Sequence, residues 1–181
     1  MNYNLRRVIV VGTSGSGKTT FARRLAEILD VPHFELDQLH WGPNWTPKDM
    51  AEFRQLTEAA VTGERWVIDG NYEVIRDIVW PRAATIIWLN YPFVTVFWRV
   101  LRRTIGRVVG RQELFSGNRE SFRQSFFSRE SILWWVITSY PRRRRDFTAL
   151  RAANIFPNLA WLEFNSPRQA EEFLRTCSLP Q

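Results

Sequence analysis

The stretch VVGTSGSGKTT, residues Val10 to Thr20, decides the fold. From Gly12 to Thr19 it matches a glycine, four variable residues, Gly-Lys and then Ser or Thr, the pattern of a phosphate-binding loop. The apolar run Val8–Val11 precedes it as a predicted strand, and a helical pattern over Thr19–Leu29 follows it. Backbone N–H groups of such a loop and the positive end of the following helix face the same phosphate. The stretch therefore predicts ATP or GTP binding.

The loop pattern gives each kind of residue a role. Lys18 reaches the β and γ phosphates, and Thr19 offers its hydroxyl to a Mg²⁺ ion that bridges them. A dinucleotide-binding pattern cannot be laid on these glycines, and the chain has no NKxD motif, which would indicate guanine. The residues predicted to bind ATP and magnesium are Gly12, Thr13, Ser14, Gly15, Ser16, Gly17, Lys18, Thr19 and Thr20.

Short apolar runs alternate with helical patterns along the whole chain, which predicts a three-layer α/β fold with a five-stranded parallel sheet in one domain, 1–181. The predicted strands are Val8–Val11, His33–Leu36, Trp66–Ile68, Thr85–Leu89 and Leu159–Phe164. The predicted helices are Thr19–Leu29, Pro47–Val61 with Thr46 as its cap, Phe93–Val109, Ser121–Ser139 ended by Pro141, and Pro167–Thr176. A polar loop is expected over Ser116–Glu120.

Two acids follow predicted strands and should lie beside the loop, because the carboxyl ends of parallel strands meet at one edge of a sheet. Asp69 follows WVI, and we expect it to bind the metal directly or through water; capping a helix or turn is the alternative. Asp37 follows HFEL, and two roles are open for it. It either orients an acceptor hydroxyl near the γ phosphate or caps the turn that carries Trp41.

The net charge of +7 comes from one segment, 99–145, which holds twelve arginines against three glutamates. The whole chain has only two lysines, and forked guanidinium groups suit phosphate binding better than simple solvation. A solvated helix face and a nucleic-acid surface are the alternatives. The single cysteine, the short N-terminal apolar run and the lack of a long apolar stretch predict a cytoplasmic protein with no membrane span.

Several motifs together resemble the adenylate-kinase-related P-loop kinases: the loop itself, the pair Asp69-Gly70, and two overlapping RxxGR patterns over 103–107 and 107–111. The stretches FELDQLHWGPNW, VIDGNYEVIRD and LFSGNRE are more closely similar to small proteins labelled DNA topology modulation proteins. The resemblance implies the sheet order 2-3-1-4-5 and a lid over 99–145 whose arginines, chiefly Arg107 and Arg111, close on the phosphates.

The resemblance also bears on the acceptor. DGNYEVIR stands where adenylate kinases have DGFPR, which speaks against AMP, and Asp37-x-Leu39-His40 resembles gluconate and shikimate kinases. We therefore expect a kinase that transfers the γ phosphate of ATP·Mg²⁺ to a small nucleoside, nucleotide or sugar-acid-like acceptor. The rival hypotheses are a P-loop ATPase that binds nucleic acid and, least favoured, a GTP switch. The residues expected on the acceptor side are Asp37, His40, Trp41, Asn71, Tyr72 and Arg76.

Overall fold

A computed structural model describes residues 3–110 and 132–178. Within them, five parallel strands form one sheet in the order β2, β3, β1, β4, β5, so the predicted α/β architecture and strand order are confirmed. The strands are β1 (Arg7–Gly12), β2 (His33–Glu35), β3 (Trp66–Asp69), β4 (Thr85–Leu89) and β5 (Ala160–Phe164).

Helices cover both faces of the sheet. Alternate residues of β1 point to opposite faces: Val8 and Val10 belong to one buried cluster, Ile9 and Val11 to the other. Burial on both faces is what a parallel sheet with crossover helices requires. None of the helices in the described ranges has the length and apolar character needed to span a bilayer. The helices are α1 (Lys18–Leu29), α2 (Leu36–His40), α3 (Met50–Ala60), α4 (Arg76–Val79), α5 (Phe93–Gly110), α6 (Ile132–Ala153) and α7 (Pro167–Cys177).

The start of α3 differs from the prediction. The helix begins at Met50, and its cap is Asp49, whose carboxylate accepts a hydrogen bond from the N–H of Ala51 at 2.8 Å. Pro47 instead forms an antiparallel bridge with Trp41. The prediction of a helix from Pro47 was wrong because that proline closes a small loop rather than opening a helix.

The prediction that Pro141 ends a helix was also wrong, since α6 runs through it to Ala153. A helix-internal proline removes one backbone hydrogen bond, so packing on both sides must hold the helix together. The Tyr140 hydroxyl donates to the carbonyl of Tyr91 at 2.9 Å, and Phe147 is 2% exposed. The predicted loop at 116–120 and the predicted start of this helix at Ser121 lie outside the described residues.

Candidate active site

A cleft of about 900 Å³ lies at the carboxyl edge of the sheet. One wall is the phosphate-binding loop, residues 13–20, and the opposite wall contains Asp37, Trp41, Asn71 and Tyr72. Segments far apart in the chain therefore meet around one space, as the strand order requires. The cleft is further lined by Glu35, Trp45, Tyr91, Arg99, Arg103, Ser139 and Arg143.

The loop has the tight backbone that its glycines predict. Gly15 and Gly17 have φ of +82° and +91°, in the left-handed region that favours glycine, and Gly17 caps the start of α1. A Cβ on Gly15 would lie 2.1 Å from Cγ2 of Val100, so α5 packs directly on the loop. The loop therefore ends at the first turn of an amphipathic helix, where backbone N–H groups and the helix dipole favour an anion.

Arg99 of α5 fixes the same loop from outside. Its guanidinium donates a hydrogen bond to the carbonyl of Ser16 at 2.9 Å and lies 5.4 Å from the ring centre of Tyr91. Burial raises the pKa of Tyr91 to about 12, and the nearby Arg99 charge opposes that rise. Arg99 thus joins α5 to the backbone of the phosphate-binding loop.

Lys18 lies on the floor of the cleft, where its ammonium donates to the carbonyl of Thr13 at 3.2 Å. Burial lowers the Lys18 pKa; the charges of Asp37 and Asp69 oppose this shift, and those of Arg103 and Arg143 add to it. Desolvation and repulsion between these cations make the charged lysine costly in the free protein. A bound phosphate would supply the missing negative charge.

Oxygen ligands meet beside the lysine. The Thr19 hydroxyl donates to Oδ1 of Asp69 at 3.1 Å, and Oδ2 of the same carboxylate lies 2.8 Å from Nε2 of His33. Burial raises the pKa of Glu35, a hydrogen bond with Thr19 lowers it, and the charge of Asp69 raises it. The described residues contain no group of three or more histidine, cysteine or acidic side chains placed to hold a metal.

This donor set fits Mg²⁺, which prefers oxygen and commonly keeps water and substrate phosphates among its ligands. The alternative for Asp69, capping a helix or turn through a backbone N–H, is not what the contacts show: both carboxylate oxygens meet side chains.

The opposite wall is a chain of side-chain hydrogen bonds. The Tyr72 hydroxyl donates to Oδ1 of Asp37 at 2.7 Å and is itself hydrogen-bonded by the side chain of Trp41. Burial and the charge of Asp37 raise the Tyr72 pKa, so the phenol stays protonated and acts as a donor. The N–H of Trp41 donates to the backbone carbonyl of Asp37 at 3.0 Å. The turn that carries Trp41 is therefore closed by the main chain, and the carboxylate faces the cleft.

Of three other residues expected at the acceptor side, Asn71 lines the cleft, whereas His40 and Arg76 do not. His40 lies behind the wall, with its ring 4.7 to 4.8 Å from those of Trp41, Phe53 and Tyr72, and burial lowers its pKa. Asn71 lines the cleft, but its amide accepts from the N–H of Gly12 and donates to its carbonyl. Arg76 lies outside the main cleft, with its guanidinium 5.0 Å from the ring of Trp80.

Solved structures with the same fold include a gluconokinase and shikimate kinases. A gluconokinase from Sinorhizobium meliloti matches 97% of this chain and 91% of its own, with TM-score 0.55 and 16% identity. A shikimate kinase from Bacteroides thetaiotaomicron matches 94% of each chain, with TM-score 0.53 and 18% identity. A shikimate kinase from Acinetobacter baumannii, solved with shikimate, matches 96% and 90%, with TM-score 0.53 and 14% identity.

The chain shares its fold with these kinases. No protein-family model and no curated protein matches the chain. In this kinase fold β1 lies between β3 and β4, so the chain leaves the sheet in opposite directions on its two sides. Ligands of open α/β sheets bind at such a point, beyond the carboxyl ends of the strands, and the cleft is there.

Sequence reasoning missed most of the cationic residues that line this cleft. It named Arg107 and Arg111, but Arg111 and the side chain of Arg107 lie outside the described residues. Arg99 and Arg103 are four residues apart on α5, a helical spacing that places both on one face and that the sequence contained. Arg143 carried no local signal, because four consecutive arginines look alike until the helix is packed.

Proposed function

We propose that the protein is an ATP- and Mg²⁺-dependent kinase that transfers the γ phosphoryl group to a hydroxyl of a small acceptor. One observation carries the proposal: Lys18 of the phosphate-binding loop and Asp37 of the opposite wall line one cleft and are close enough for the Asp37 charge to raise the Lys18 pKa. A cation for the transferred phosphate and a base for the acceptor are thus present in one space.

The loop residues form the nucleotide end of the proposed site. Backbone N–H groups of residues 13–19 would hold the phosphates, and Lys18 would neutralise charge on the transferring group. Thr19 and Asp69 would hold Mg²⁺, which supplies charge neutralisation between the β and γ phosphates. Arg103 and Arg143 add positive charge to the same space.

Asp37 is the proposed base at the acceptor end. Its Oδ1 accepts from Tyr72, and within the described residues its Oδ2 accepts no hydrogen bond, so that oxygen is available to an acceptor hydroxyl. As the acceptor oxygen bonds to phosphorus and the bond to the leaving oxygen breaks, the hydroxyl proton passes to Asp37. The Tyr72 hydrogen bond keeps the carboxylate in one orientation while this happens.

Two substitutions test the proposal. Nucleotide binding and ADP release are measured with Mg·ATP and a panel of nucleosides, nucleotides and sugar acids. Lys18→Ala should abolish turnover, whereas Asp37→Asn should keep ATP binding and lose transfer. Asp30→Asn is the matched control, since Asp30 lies outside the cleft with φ of +51°, a conformation that asparagine tolerates.

The outcomes separate the parts of the proposal. Transfer that survives in Asp37→Asn would remove the proposed base, and turnover that survives in Lys18→Ala would remove the phosphate-binding role of the loop. Loss of transfer in Asp30→Asn as well would show that the assay reports damage to the fold.

The nucleic-acid alternative keeps one supporting observation. Arg142, Arg144 and Arg145 of α6 are exposed, and clustered surface arginines bind phosphate backbones. The kinase proposal is favoured over it because Arg143, from the same run, lines the cleft together with the loop.

A further inference from the structure

The polar groups of the wall opposite the loop are already used by the protein. The side chain of Trp41 bonds to the Tyr72 hydroxyl, and this hydroxyl donates to Asp37. The amide of Asn71 is occupied at both ends by the backbone of Gly12. On this wall, the described residues therefore leave Oδ2 of Asp37 and a surface of aromatic rings for a ligand.

Trp45 extends that aromatic surface in an unusual way. Its backbone has φ of +55°, which a bulky residue rarely adopts, and it ends a single 3₁₀ turn over Pro43–Trp45. The turn is closed by hydrogen bonds around it: the N–H of Gly42 donates to the carbonyl of Thr46 at 2.8 Å, and the bridge between Trp41 and Pro47 lies beneath. A disfavoured backbone that is held on all sides points to a function for the side chain it presents.

The two tryptophan rings form a corner at the cleft. Their centres lie 6.0 Å apart at an angle of 80°, both rings line the cleft, and Trp45 is 38% exposed. Core packing explains the other aromatic side chains of this wall, but it does not explain the exposure of Trp45. Part of the Trp45 side chain is thus exposed in the same cleft as the carboxylate that we propose as the base.

We infer that the acceptor is a ring compound that lies with a flat, weakly polar face against Trp45 and presents one ring-borne or adjacent hydroxyl to Asp37. This inference rests on the proposed kinase function and names the class of its acceptor. Indole surfaces attract the faces of aromatic and sugar rings alike. An open-chain polyol would instead place several hydroxyls against rings with nothing to bond them, and such desolvation is unfavourable.

Binding to the nucleotide-loaded protein tests the inference. With the loop filled by a non-hydrolysable ATP analogue and Mg²⁺, calorimetry compares thymidine, methyl β-D-glucopyranoside and sorbitol. We expect at least one of the two ring compounds to bind and sorbitol not to bind; which ring binds distinguishes a planar base from a sugar ring. Trp45→Ala should weaken that binding on the order of tenfold, as loss of one stacking partner does, and Trp45→Phe should restore most of it.

The controls separate this inference from the function beneath it. Trp98→Ala removes another exposed indole, from α5 and outside the cleft, and should change neither binding event. The inference is overturned, with ATP binding intact, by any of three results. Sorbitol binds as well as the ring compounds, neither ring compound binds, or Trp45→Ala leaves the binding of the ring compound unchanged. Failure of the wild-type protein to bind the ATP analogue refutes the proposed function itself, and the inference with it.

Discussion

Replacing Arg99 by alanine should loosen the phosphate-binding loop without removing any group that we place on the substrate. The substitution removes the hydrogen bond to the Ser16 carbonyl at 2.9 Å and the contact with the Tyr91 ring at 5.4 Å. The first contact joins α5 to the segment that would hold the nucleotide, and the second joins it to the short connection between β4 and α5. The effect should therefore appear in stability and in nucleotide affinity together.

The magnitude follows from the two contacts. A hydrogen bond from a charged group contributes about 1.5–3 kcal/mol, and the exposure of Arg99 brings this to about 1 kcal/mol or less. A cation over an aromatic ring adds about 0.5–1 kcal/mol where the cation is exposed, as Arg99 is. A total near ~1.5 kcal/mol corresponds to a fall in Tm of about 3–6 °C for a chain of this length. If half or more of that free energy orders the loop for its ligand, affinity for ATP falls by about 3- to 12-fold.

Thermal unfolding and calorimetric titration with a non-hydrolysable ATP analogue measure both effects. Arg102→Ala is the matched control, because Arg102 is an exposed arginine on the same helix that does not line the cleft. Arg99→Lys should recover part of the loss, since it keeps the charge but not the planar fork. If Arg99→Ala binds the analogue as tightly as Arg102→Ala does, the contact with Ser16 is structural only and the reasoning is refuted.

Three further predictions concern the loop and the surface. Gly15→Ala should destabilise the protein by about 2–5 kcal/mol in thermal unfolding, from left-handed strain and from overlap with Val100, whereas Gly106→Ala, with open space around it, should be neutral or stabilising. The folded-state pKa of Lys18 is lowered, so the unfolded chain binds more protons than the folded protein between that pKa and 10.5. The free energy of unfolding, measured without nucleotide, should therefore rise with pH in this window. Lys18→Met should flatten the rise. Duplex DNA should be retained only at low salt, with a steep salt dependence, and should not stimulate ATP hydrolysis; stimulation would revive the nucleic-acid alternative.

Predictions from the sequence were correct where the structure depends on a local sequence pattern alone. The loop pattern and the alternation of apolar runs with helical patterns predicted the sheet, and the resemblance to P-loop kinases predicted its order. The predictions at Pro47 and Pro141 were wrong because tertiary contacts decide the local structure at both positions. Pro47 forms an antiparallel bridge with Trp41, and Pro141 lies inside a helix that is packed on both sides. Local rules for proline describe an isolated segment and cannot include these partners.

The candidate site was harder to predict than the fold. Asp37 and Tyr72 were both named from their motifs, but the hydrogen bond between them depends on how β2 and β3 pair in the sheet. His40 was expected on the acceptor side, whereas the structure places its ring in a cluster with Phe53. Position in the chain predicted which residues lie near the cleft, whereas three-dimensional packing decides which of their atoms face it.

Helix α6 joins parts of the molecule that the sheet keeps separate. Val136 and Tyr140 pack in the core on one face, Phe147 packs in the core on the other, and Arg143 lies on the turn between them and lines the cleft. The helix is therefore packed against both hydrophobic clusters, one on each side of the sheet. The backbone of Arg143 cannot shift along the cleft unless both hydrophobic layers repack, so a substitution deep in either layer would be transmitted to the position of this charge.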